Sequence, residues 1–112
     1  MSAAKGNYKM REFGFFKGLP HEDCEENLED YKKFKNSIPK EKVIAYIESD
    51  NVEKCLGFMP FSCDIFTGEE MPCGLFIDGD FMFTWEFLHY YKNYDIGIPY
   101  DYEEYLKGKI DY

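Results

Sequence analysis

An α+β fold is predicted by the order in which three patterns appear along the chain. Polar stretches with helical spacing come first, short apolar runs divided by turn residues follow, and two capped helical stretches close the sequence. Helices segregated from strands in this way pack on a small antiparallel meander instead of alternating with parallel strands. The 112 residues predict a single domain spanning 1–112. A chain of this size buries roughly two-thirds of its unfolded surface, enough for one core.

Met1 to Gly18 is punctuated by glycine and locally basic through Lys5, Lys9, Arg11 and Lys17. Within it, Phe13-Gly14-Phe15-Phe16 suits either a short strand or a segment laid over the core. The next run, His21 to Lys35, has acids at its front and Lys32, Lys33 and Lys35 at its back, a polarity that complements a helix dipole. Cys24, Leu28 and Tyr31 give it an i, i+4, i+7 stripe. Ser37 is placed to cap a second helix with Pro39 in its first turn, Val43, Ile44 and Ile47 inward, and an end near Ser49 to Asn51. Cys55 to Met59 predicts a strand, Pro60 a break, and Ser62 to Phe66 a second strand, with Cys63 and Ile65 on one face. Thr67-Gly68-Glu69 is a turn leading into a strand over Gly74–Ile77.

The closing third is the most legible. Asp78-Gly79 is a hairpin signal, because glycine accepts the positive φ of a tight turn, and Phe81-Met82-Phe83 is the returning strand. Thr84 stands where an N-cap belongs, Glu86 faces the positive end of the dipole, and Phe87, Leu88, Tyr91 and Tyr94 recur at helical spacing. Pro99 opens a final helix that closes at Lys107 and Gly108, with Tyr102, Tyr105 and Leu106 inward. The register of Asp78-Gly79, Phe81, Phe83, Tyr90-Tyr91, Tyr94, Ile96, Ile98-Pro99 and Tyr102 resembles small bacterial immunity proteins of polymorphic and contact-dependent toxin systems. The resemblance covers the last half of the chain and implies a protein that neutralises a cognate toxin. The matching positions are scaffold, so it assigns no functional residue.

Charge is unevenly distributed. Residues 1–63 hold ten Lys/Arg against eleven Asp/Glu, whereas residues 64–105 hold ten acids and one base, Lys92, so this segment alone carries −9, the net charge of the whole chain, and it lies in the half with the immunity-like pattern. Such a field repels nucleic acid and attracts basic proteins. The expected partner is a cognate toxin with a basic surface, such as a nuclease, whose active surface is occluded. The acidic candidates are Asp64, Glu69, Glu70, Asp78, Asp80, Glu86, Asp95, Asp101, Glu103 and Glu104, with Tyr90 and Tyr100 as aromatic anchors. A phage-type inhibitor that mimics DNA shares these electrostatics. A small enzyme or ligand-binding domain using Cys24 or Cys63 with a histidine is the remaining alternative.

Catalytic motifs do not support that last alternative. No GxSxG, HExxH or P-loop pattern occurs, and His21 and His89 are the only imidazoles. Cys24, Cys55, Cys63 and Cys73 lack the close pairing of zinc ribbons, and Asp78-Gly79-Asp80 lacks the ligand series and distal Glu of a calcium loop. The expectation is therefore no reaction, no cofactor and no metal. The start of the chain has no apolar core of a secretory signal, and no run approaches the length of a membrane span. A cytoplasmic protein with reduced thiols follows as the expectation.

Overall fold

The structure is a computed structural model that describes residues 10–21 and 24–112, and for residues 57–60 the backbone only. Lys5, Lys9, Glu22 and Asp23 lie outside the described residues. Strand β1 spans Arg11–Phe13. A 3-10 helix covers Leu28–Lys33, and helix α1 covers Lys40–Ile47. Strands β2, β3 and β4 follow at Glu53–Cys63, Glu70–Asp78 and Phe81–Thr84, and helices α2 and α3 span Trp85–Asn93 and Tyr100–Lys107. The sheet order is β1-β4-β3-β2. β2, β3 and β4 pair antiparallel in sequence order, while β1 joins β4 in parallel, with Phe13 opposite Phe83. The class is α+β, with a mixed sheet.

The predicted helix from His21 to Lys35 shrinks to the six-residue 3-10 helix. The cause is Glu26, whose backbone bridges Phe15 and Lys17 and whose carboxylate accepts from the Phe15 N–H at 2.8 Å and the Tyr31 hydroxyl at 2.7 Å. That extended bridge occupies the backbone a helical turn would need. Leu28 and Tyr31 still face the core. Ser37 makes no cap at α1; its N–H donates instead to Glu103.

The two strands expected around Pro60 are one strand of eleven residues, with a shift in register between Leu56 and Phe61. β2 is a sheet edge, and an edge strand tolerates a residue with no N–H to donate. At α2 the expected cap is made: Thr84 Oγ1 accepts from the Phe87 N–H at 3.0 Å and also donates to the Gly14 carbonyl at 2.6 Å. Thr84 thereby ties the helix start to the chain after β1.

Core packing is aromatic. Phe13 stacks on Phe83 at 4.6 Å and meets Phe87 edge-on at 5.1 Å, while Phe87 stacks on Tyr91 at 5.6 Å. Each such pair contributes about 0.5–1.5 kcal/mol beyond the area it buries. Gly74 is required by this packing, because a Cβ there would lie 2.4 Å from the Trp85 ring. Trp85 Nε1 donates to the Leu75 carbonyl at 2.9 Å and holds the indole over β3.

Candidate functional site

Five of the twelve expected contact residues are interior: Asp64, Asp78, Glu86, Glu103 and Tyr90. Each carboxylate is enclosed by donors from distant segments, so it serves the fold and is not presented to a partner. Asp78 accepts from Tyr46 at 3.1 Å, Tyr102 at 2.9 Å and Tyr105 at 3.0 Å. Glu103 accepts from Asn36 Nδ2 at 3.1 Å and from the backbone N–H groups of Ser37 and Ile38. Glu86 is 0% exposed. Its oxygens lie 3.0 and 2.9 Å from His21 Nε2, and one accepts from Ser62 Oγ at 2.8 Å.

The other seven, Glu69, Glu70, Asp80, Asp95, Asp101, Glu104 and Tyr100, are exposed. The structure brings Glu69 and Glu70 together where the β2–β3 turn enters β3, and Tyr100, Asp101 and Glu104 together on α3. Asp80 stands in the β3–β4 turn and Asp95 in the link from α2 to α3. Tyr100 is partly engaged already, its hydroxyl donating to the Lys33 carbonyl and accepting from the Lys35 N–H, both at 3.3 Å.

Sequence reasoning missed what surrounds the first acidic pair. β2 ends in Phe61, Ser62 and Cys63, which with the following Asp64 alternate exposed and buried, and Ile65 and Phe66 come next, both exposed. Leu56, farther back on the same edge strand, is 86% exposed and Phe66 is 55% exposed. Exposed large apolar side chains grouped on one edge differ from the scattered ones of an ordinary surface.

The turn that carries Ile65 and Phe66 is fastened from below. Asp64 Oδ1 accepts from the Phe66 and Thr67 N–H groups at 2.7 and 3.2 Å, and Oδ2 accepts from the Tyr94 hydroxyl at 2.8 Å and lies 2.7 Å from His89 Nε2. The buried Tyr90 hydroxyl accepts from the Ile65 N–H at 3.0 Å. Gly68 closes the turn at φ +76°, donating to the Asp64 carbonyl at 2.8 Å. Burial pushes the Asp64 carboxyl up, but the hydrogen bonds from His89, Phe66, Tyr94 and Thr67 outweigh it and hold the group below its ordinary value. Two apolar side chains are thus displayed on a loop whose backbone is already ordered, and Phe66 leans on Tyr94 at 5.2 Å.

Two clefts flank Phe34. One of about 380 Å³ is lined by Arg11, Glu26, Asp30, Lys33 and Asp101 among others, and one of about 300 Å³ by Lys35, Lys40, Tyr91 and Asp95 among others. Both mix opposite charges, and neither lining contains a cysteine or histidine. The thiol that does meet an imidazole is Cys73, whose Sγ is 3.5 Å from His21 Nε2. Cys24 is half-buried, and Cys63 is exposed at the end of β2. Among the described residues, no helix is long and apolar enough to cross a membrane. No family model, curated protein or solved structure matches the chain.

Proposed function

We propose that the chain is an immunity-type binding protein that neutralises a basic toxin by docking through the outer edge of β2 and the 64–69 turn, and that it performs no reaction of its own. The observation that carries this reading is the pinned turn: a buried aspartate holds the backbone so that Ile65 and Phe66 face outward. Ordering a loop before binding lowers the entropic cost of association, and apolar anchors ringed by charge are how protein interfaces concentrate affinity. Glu69 and Glu70 supply the charge beside those anchors. The uneven charge of the chain and its likeness to immunity proteins support a toxin as the partner over other basic proteins. The cytoplasm, where such a toxin is neutralised in its producer, is the compartment this reading requires.

The test is co-expression with the protein encoded beside this gene. The expected result is relief of toxicity and a complex that co-purifies. Both are lost when Ile65→Asp and Phe66→Asp are introduced together, changes at exposed positions that leave the circular dichroism spectrum intact. A harmless neighbour, or a toxic one neutralised equally well by the double variant, overturns the proposal.

A further inference from the structure

His21, Cys73 and Glu86 come from the segment after β1, from β3 and from the first turn of α2, and their donor atoms all lie within 4.8 Å of one another. We propose that this cluster binds Zn²⁺, with the His21 imidazole, the Cys73 thiolate and the Glu86 carboxylate as its three protein ligands. The site is independent of whatever docks on the 64–69 turn.

The hydrogen bonding alone leaves the cluster over-subscribed. One ring nitrogen, His21 Nε2, is approached by both Glu86 oxygens at 3.0 and 2.9 Å and by Cys73 Sγ at 3.5 Å. An imidazole nitrogen carries either one hydrogen or one lone pair, so it cannot serve three neighbours well. A cation among them takes one donor atom from each of the three residues. Nitrogen, thiolate and carboxylate together are the donor set of borderline-soft zinc, and three protein ligands leave the fourth tetrahedral position to water. Zinc bonds of about 2.3 Å to sulfur and about 2.05 Å to nitrogen put those atoms about 3.6 Å apart at a tetrahedral angle, close to the spacing present. The carboxylate has to draw back from the imidazole by a few tenths of an ångström, since the same geometry sets nitrogen and oxygen about 3.3 Å apart.

Charge and surroundings agree with the assignment. Zn²⁺ with one thiolate and one carboxylate is a neutral unit, which suits a place where Cys73 is 2% exposed and Glu86 fully enclosed. Ser62 Oγ donates to Glu86 at 2.8 Å, the kind of outer contact that orients a ligating carboxylate. The Phe15 ring meets His21 edge-on at 5.9 Å and screens it from one side. A metal here staples the segment after β1 to the sheet and to α2. Motif reading missed it because it looks for ligands close in sequence, and these are 52 and 65 residues from His21.

The test uses the full reduced chain, stripped with chelator and titrated with Co²⁺ as a spectroscopic stand-in for Zn²⁺. The expected result is a thiolate-to-cobalt charge-transfer band in the near ultraviolet and visible bands of tetrahedral intensity, both displaced by Zn²⁺. Cys73→Ser removes the charge-transfer band, Cys55→Ser and Cys63→Ser leave it unchanged, and Ser62→Ala weakens binding about 10- to 100-fold. Should Cys73→Ser not fold, X-ray absorption of the zinc-loaded wild-type protein decides, with one sulfur in the first coordination shell expected. A folded wild-type protein that gives no cobalt spectrum, a charge-transfer band that survives Cys73→Ser, or a zinc shell without sulfur overturns the proposal.

Discussion

Asp78 shows what one side chain does when three hydroxyls converge on it. Tyr46 from α1 and Tyr102 and Tyr105 from α3 all donate to its carboxylate, so the β3–β4 hairpin is tied to two helices at once. Burial pushes all three phenols up, and the neighbouring carboxylate adds to the shift by hydrogen bonding to the neutral form and repelling the ionised one. Hydrogen bonds to charged groups contribute about 1.5–3 kcal/mol each, and a buried hydroxyl left without an acceptor adds to the loss. Asp78→Ala is therefore expected to cost about 3–5 kcal/mol in urea unfolding, and Tyr46→Phe, which removes one of the three bonds, about 1–2 kcal/mol. Equal losses for the two variants would refute the shared-acceptor account. In the sequence Asp78 reads as the first residue of a turn and as one more surface acid for a partner, because its three partners lie 24 to 32 residues away and no local pattern announces them.

At the scale of elements, Glu103 joins two helices that the sequence treated separately. It lies in α3, yet its carboxylate receives the Ser37 and Ile38 N–H groups just before α1, so it fastens the entry of one helix to the other without capping it. Burial raises the Glu103 carboxyl, but the donors from Asn36, Ser37 and Ile38 outweigh that and leave it below its ordinary value. A carboxyl lowered by folding stabilises the protein above its unfolded pKa, and that stability is lost as pH falls through the folded one. The wild-type protein is thus expected to exceed Glu103→Gln in urea midpoint at neutral pH, with the gap closing below about pH 4.5. A gap independent of pH would count against this linkage.

Local signals made α2 and α3 legible: Thr84 as cap, Pro99 ahead of its helix and Gly108 behind it all occupy their expected places. The segment before Leu28 was not legible, since Glu26 looks like one more solvated acid until Tyr31 and Phe15 are seen to enclose it. Pro60 misled in the opposite direction. It is a reliable strand breaker only inside a sheet, and nothing in the sequence says that β2 is an edge.

For the whole molecule, the acidic half of the sequence overstates the acidic surface. Four of the ten carboxylates between residues 64 and 105 are interior, which leaves Glu69, Glu70, Asp80, Asp95, Asp101 and Glu104 to set the outer field of that region. Rim charges act chiefly on association rate. Reversing Glu69 and Glu70 to Lys together is expected to slow binding to a basic partner about tenfold at low salt, with the difference vanishing near 1 M, where screening reaches about 3 Å. Stopped-flow rates that match those of the wild type at low salt would exclude steering by this pair.

The parallel pairing of β1 with β4 has a consequence for the order of assembly. Arg11 lies opposite Phe81, so the sheet gains its last strand from the first described element only after some seventy residues of intervening chain have been traversed. Contacts of such long separation slow folding, because loop closure must be met before the pairing rewards it. On the ribosome, Phe13 and Phe16 emerge before Phe83, Phe87 and Tyr90, the β4 and α2 rings they pack against, although Tyr31 is at hand sooner for Phe16. For that interval the nascent chain carries these rings without their strand and helix partners, and the speed at which the intervening residues are synthesised governs how long it does so.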